Sequence, residues 1–173
     1  MRALAIVLGL VVAGCSGGGQ QDDAGSSTPT IRAHIHPPAP NSGRLALPAR
    51  TMTAGSSTAG HVVIQNNTGH AIHTSGCLTL FQVALVSSNY HPATAWLDCL
   101  QSFTIPAGQS TYPVIVAASY SQCSQGRPSA AMKACLPDGH PPPLPAGVYR
   151  AVLFQARHVF AAPPAIAVRV MPR

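Results

Sequence analysis

The chain predicts an all-β domain, a β-sandwich of about seven strands. Three observations carry this. Short apolar runs recur from Arg44 onward, turn residues punctuate them, and no stretch shows the periodicity of an amphipathic helix. The number and spacing of the runs point to two packed sheets with Greek-key connections.

Taken in order, residues 45–52 alternate loosely and read as one first strand. His61-Val62-Val63-Ile64-Gln65 reads as the second, stopped by Asn66-Asn67-Thr68-Gly69, where Gly69 suits a positive φ. Residues 78–86 (LTLFQVALV) form the third. Residues 95–100, which hold the sole tryptophan, Trp96, are expected to return beside it. Phe103-Thr104-Ile105 is a short strand ending in the turn Pro106-Ala107-Gly108, and residues 111–119 follow as the next strand. Residues 148–155 (VYRAVLFQ) and 165–171 (AIAVRVM) are the last two. Residues 129–135 are the one candidate for a helical turn.

The segment before the domain has a different character. Arg2 is followed by an apolar stretch over residues 3–12, too short to span a bilayer, and then by the small residues Val12-Ala13-Gly14. This is the pattern of a secretion signal over residues 1–14. Leu10-Val11-Val12-Ala13-Gly14-Cys15 resembles the lipobox of bacterial lipoproteins, in which the thiol is acylated and becomes the first residue of the mature chain. That resemblance implies diacylglycerol and palmitate on Cys15, anchoring to the cell membrane and an extracytoplasmic location. Residues 15–43 are rich in Gly, Ser, Gln and Pro and cannot bury enough apolar surface to order themselves. As a flexible tether of roughly 28 residues they would reach about 30 Å. Residues 44–173 form the domain.

The chain carries ten Lys and Arg against four acids, Asp22, Asp23, Asp98 and Asp138, with no Glu, for a net charge of +6. Loss of Arg2 with the signal lowers this by one. The cations are scattered singly, without the runs that mark a nucleic-acid surface, so no nucleic-acid partner is expected. With Cys15 assigned to lipid, Cys77, Cys99, Cys123 and Cys135 remain, an even number in an exported chain and hence two expected disulfides. Four cysteines allow three connectivities. The strand directions favour Cys77 with Cys99 across a hairpin, and Cys123 with Cys135 within one long loop. No spacing typical of a zinc site is present.

The inventory for catalysis is thin. A carboxylate pair would have to be Asp98 and Asp138, and Asp138-Gly139 reads more simply as a turn. No GxSxG, Walker, HExxH or GxGxxG motif occurs. No enzymatic activity is expected, and no cofactor beyond the lipid on Cys15. Histidine is the enriched reactive type: His61, His70 and His73 lie close together in sequence and form a candidate Cu or Zn set. The simpler reading makes them polar loop and strand-end residues.

Leu144-Pro145-Ala146-Gly147-Val148-Tyr149 places a tyrosine two residues after a glycine turn and resembles the tyrosine corner of immunoglobulin-like domains. There the Tyr149 hydroxyl would bond back to upstream backbone. Trp96, Gly147 and Tyr149 are thus the expected fold-defining residues. With Asn66-Asn67-Thr68-Gly69, Ile105-Pro106-Ala107-Gly108, Tyr112-Pro113-Val114 and the loop pair Cys123 and Cys135, most of the mature chain resembles the immunoglobulin-like domains of cell-envelope lipoproteins in high-GC Gram-positive bacteria. The resemblance implies fold and location, not an activity. The expected function is a non-catalytic, lipid-anchored binding or scaffold module for a protein or envelope polymer. The alternative is a His-based metal-binding cell-surface protein. Replacing Cys15 by Ala should move the protein from the membrane to the soluble fraction on cell fractionation; persistence in the membrane would contradict the lipobox.

Overall fold

The computed structural model describes residues 40–76, 79–92, 101–129 and 132–173, and these contain nine strands and no helix. The strands are β1 (Ser42–Ala46), β2 (Thr51–Thr53), β3 (Ser57–Asn66), β4 (Ile72–Gly76), β5 (Phe81–Val86), β6 (Gln101–Ile105), β7 (Gly108–Ala117), β8 (Gly147–Gln155) and β9 (Ile166–Met171). They form a three-stranded sheet in the order β1-β3-β7, a four-stranded sheet in the order β2-β9-β8-β5, and a β4-β6 ribbon. The all-β expectation therefore holds. The sole predicted helical stretch, residues 129–135, is partly described, and there Ser129 and Met132 exchange backbone hydrogen bonds in a turn.

Two-residue periodicity explains how the two larger sheets meet. On β3, Val62 and Ile64 are buried while His61 between strand neighbours faces out, and on β7 Val114 and Val116 are buried while Ile115 is 63% exposed. On the second sheet the inward-facing residues include Phe81, Val83 and Leu85 of β5, Tyr149, Ala151 and Leu153 of β8, and Val168 and Val170 of β9. All of them belong to one hydrophobic cluster, the arrangement of a β-sandwich. β5 and β7 are edge strands of opposite sheets. Pro113 fits on β7 because a residue without an N–H is tolerated at an edge.

The expected single strand over residues 45–52 is two. β1 runs antiparallel to β3 in one sheet, whereas β2 runs parallel to β9 in the other. The cause is visible in the burial. Leu45 and Met52 both point into the core, yet seven residues apart on one strand they would face opposite sides. Pro48 lies in the crossing between them. β3 extends beyond its predicted run at both ends, β7 starts three residues before its predicted run and ends two before it does, and β4, composed of Ile, His, Thr, Ser and Gly, is a strand the sequence does not predict.

Among the described residues one polar side chain, Asn66, is enclosed. The Asn66 amide donates to the carbonyls of His70 (2.9 Å), Ile105 (3.3 Å) and Pro106 (3.0 Å), while its oxygen accepts from the Thr68 backbone (3.1 Å) and hydroxyl (2.7 Å). Asn66 thus ties the end of β3 to the following loop and to the β6–β7 turn. Gly69 and Gly108, with φ of 78° and 82°, make these turns with backbone that only glycine adopts cheaply. Elsewhere Gly43 lies against the Phe160 ring, and an added Cβ would run into it.

Asn66→Ala removes the donor to the buried Ile105 carbonyl and to the part-buried bonds at His70 and Pro106, and should cost about 2–4 kcal/mol in denaturant unfolding. A cost below about 0.5 kcal/mol would contradict this role. Gly43→Ala forces the Phe160 ring out of a close-packed position and should cost about 1–3 kcal/mol by the same measurement.

Candidate functional site

The three sequence-predicted metal residues are placed apart. His61 stands exposed on the outer face of the three-stranded sheet, between Ala46 of β1 and Pro113 of β7. His70 belongs to the loop after β3, where its Nδ1 donates to the Thr68 carbonyl at 3.0 Å. His73 lies on β4, its Nδ1 3.2 Å from the Thr104 hydroxyl. From His61 to the end of β3 is roughly 16 Å of extended chain. Among the described residues no three His, Cys, Asp or Glu side chains gather into a group able to hold a metal ion.

Asp138 is engaged locally. Its carboxylate accepts from the His140 backbone at 3.0 Å, within a turn closed by Gly139 donating to the Leu136 carbonyl at 2.8 Å. The neighbouring loop holds the Cys123–Cys135 disulfide. The bridge lies beside a short parallel pairing of Ser124 with Ala134, in which Ser124 donates to Lys133 at 2.8 Å and Cys135 to Ser124 at 3.0 Å. Closing a loop of this length is worth about 3 kcal/mol in the chain-entropy account. Cys15, Cys77, Cys99, Trp96 and Asp98 lie outside the described residues.

At the start of β8, Gly147 is exposed and Tyr149 is buried. The Tyr149 hydroxyl donates to the Pro145 carbonyl at 2.9 Å, four residues upstream. Tyr149 forms the floor of a cleft of about 260 Å³, bounded also by Ser87, Ser88, Asn89, Tyr90, Tyr120, Pro145 and Val148. Tyr90 and Tyr120 meet edge to face with centroids 4.9 Å apart. Burial pushes the Tyr149 phenol above its ordinary value of 10.0, and the nearby Tyr120 and Tyr90 phenols add to the shift.

The second surface is the outer face of the four-stranded sheet. Because Tyr149, Ala151 and Leu153 point inward, Val148, Arg150, Val152 and Phe154 point outward; on β9, Ala167, Arg169 and Met171 do the same. Val148 is 64% and Met171 42% exposed. In the β8–β9 register Arg150 opposes Ala167 and Arg169 opposes Val148, which makes the two arginines diagonal neighbours about 7–8 Å apart at the backbone. The backbone of a third arginine, Arg50, accepts from the Arg169 N–H at 2.8 Å. Across the described residues there are eight Lys and Arg but a single Asp, and neither Arg150 nor Arg169 has an ion-pair partner among them.

No protein-family model, curated protein or solved structure matches the chain. The site must therefore be read from its own chemistry. Neither surface was singled out in the sequence. In the sequence Arg150 and Arg169 read only as scattered cations, although the alternation of residues 148–154 and 167–171 sets each opposite the apolar side of its strand. Tyr90 and Tyr120 carried no local signal, since they reach the cleft from loops far apart in sequence.

A tyrosine whose folded value is raised contributes stability that is complete below its unfolded value and is lost as the pH rises through the folded one. Stability should therefore fall as the pH climbs above 10.0. Tyr149→Phe should flatten that alkaline limb in unfolding measurements across pH, at a cost of about 1 kcal/mol at neutral pH from the lost hydrogen bond. An unchanged alkaline limb would contradict the assignment. Replacing Cys123 and Cys135 together by Ser should lower stability by up to about 3 kcal/mol while the far-UV β signal persists.

Proposed function

We propose that this chain is a non-catalytic, lipid-anchored binding or scaffold module at the outer face of the plasma membrane, whose four-stranded sheet face holds an anionic partner. The observation that carries this is the Arg150–Arg169 diagonal on β8 and β9. Two like charges stand on diagonal positions with no ion-pair partner among the described residues, flanked by exposed Val148 and Met171. Such a pairing repels within the free domain, and an acidic partner relieves the repulsion on binding. The apolar residues around it supply area that is removed from water at the same time.

The location rests on the resemblance of residues 10–15 to a lipobox, with the low-complexity residues 15–43 as the spacer. An immunoglobulin-like sandwich is the reading we give to the fold. β3 and β7 in one sheet, against β5, β8 and β9 in the other, match the division of strands B and E from C, F and G. The Tyr149 hydroxyl bonded to Pro145 supports it further, as does the switch of the first strand between sheets. Engagement of Asp138 in its own turn supports a non-catalytic role.

The test uses the purified full chain and poly-L-glutamate as an acidic probe. Binding should weaken steeply with added salt, and the Arg150→Glu/Arg169→Glu double variant should lose about tenfold or more in affinity at low salt. Arg127→Glu, on the exposed disulfide loop, should change it by less than about threefold. Equal losses from the two variants would overturn the assignment to this face.

A further inference from the structure

We infer that the tyrosine cleft is a binding site for a neutral sugar ring, as would be presented by an uncharged glycan. This goes beyond the proposed function and stands on different side chains, with Val148 alone shared at the rim.

The chemistry of the lining carries the inference. The ten residues around the cleft include no charged side chain. An ionic ligand would surrender its hydration there without gaining a counter-charge. The lining instead offers three phenol rings, Pro145 and Val148 as apolar surface, and hydroxyl and carboxamide groups as polar surface. Hydroxyls and carboxamides both donate and accept, as sugar hydroxyls do, whereas the C–H face of a pyranose ring matches an aromatic face.

The polar groups divide into those that build the cleft and those left open to a ligand. Tyr149 spends its hydroxyl on Pro145. Tyr90 accepts from the Ser121 backbone at 2.7 Å and donates to the Ser121 hydroxyl at 3.2 Å, so its ring is fixed from the far end. The Tyr120 hydroxyl, the Ser88 hydroxyl and the Asn89 carboxamide make no hydrogen bond among the described residues. Tyr120 is itself held by its backbone N–H on the Pro142 carbonyl at 3.0 Å and by the ring contact with Tyr90. The aromatic walls are therefore organised before any ligand arrives, which lowers the entropic cost of binding. About 260 Å³ lies just below the roughly 300–1,000 Å³ of sites for drug-sized ligands, and so suits one ring.

The experiment is saturation-transfer NMR and titration of the full chain with neutral trisaccharides of glucose, mannose, galactose and N-acetylglucosamine, alongside an uncharged tripeptide of Ser and Ala. At least one trisaccharide should bind saturably, with transfer strongest on a single ring. Tyr120→Ala should weaken it by about tenfold, and Tyr120→Phe, which keeps the ring and the fold but removes the free hydroxyl, by about threefold. Ile115→Ser, on the other sheet, should leave it unchanged. The inference is overturned if no trisaccharide saturates below about 10 mM, if the tripeptide binds and the sugars do not, or if Tyr120→Phe and Tyr120→Ala both bind as the parent does.

Discussion

Two-residue alternation on β8 and β9 is the constraint from which the rest of the structure follows. Burying Tyr149, Ala151, Leu153, Val168 and Val170 against the inner face of β3 and β7 leaves no choice about what their neighbours do. Val148, Arg150, Arg169 and Met171 must face water, because a one-residue slip would put guanidinium groups into the core. The interior and the proposed binding face are thus two readings of one register.

Within that frame, specificity comes from a few exact fits. A β-sandwich whose inner faces carry mainly Val, Leu, Ile and Ala could slide, since such side chains are nearly interchangeable. Asn66 opposes sliding at the end of β3, since its amide is satisfied only when the 66–70 loop and the β6–β7 turn are both in place. Gly43 beneath the Phe160 ring acts similarly at β1, where only the smallest residue allows the approach. At the opposite end, the Tyr149 hydroxyl holds the residues entering β8 and shapes the cleft floor.

How much of this the sequence discloses depends on how local each feature is. β5, β8 and β9 are legible because apolar runs bounded by turn residues are local signals, and the Cys123–Cys135 bridge because both thiols fall in one loop. The switch of residues 45–52 between sheets needs the knowledge that Leu45 and Met52 share a core, which is a tertiary fact. β4 escaped because Ile72-His73-Thr74-Ser75-Gly76 holds a single large apolar residue and so no apolar alternation, and its pairing with β6 defines it instead. Proximity in sequence made His61, His70 and His73 look like a set, yet an extended strand separates the first from the others. The cleft is the least legible feature: Tyr90, Tyr120 and Tyr149 come from three separate loops and strand ends.

The cationic face and the neutral cleft adjoin at Val148, so a partner bearing acidic groups and a partner bearing neutral sugars could be held together at one end of the sandwich. The central claim is that β8 and β9 present the binding face outside the cell. Site-specific photo-crosslinking in intact cells, with the probe at position 148 or at position 115 on the other sheet, followed by mass spectrometry, tests it most directly. The account predicts a discrete acidic adduct from position 148 and none from position 115. The same adducts from both positions, or none from position 148, would contradict it.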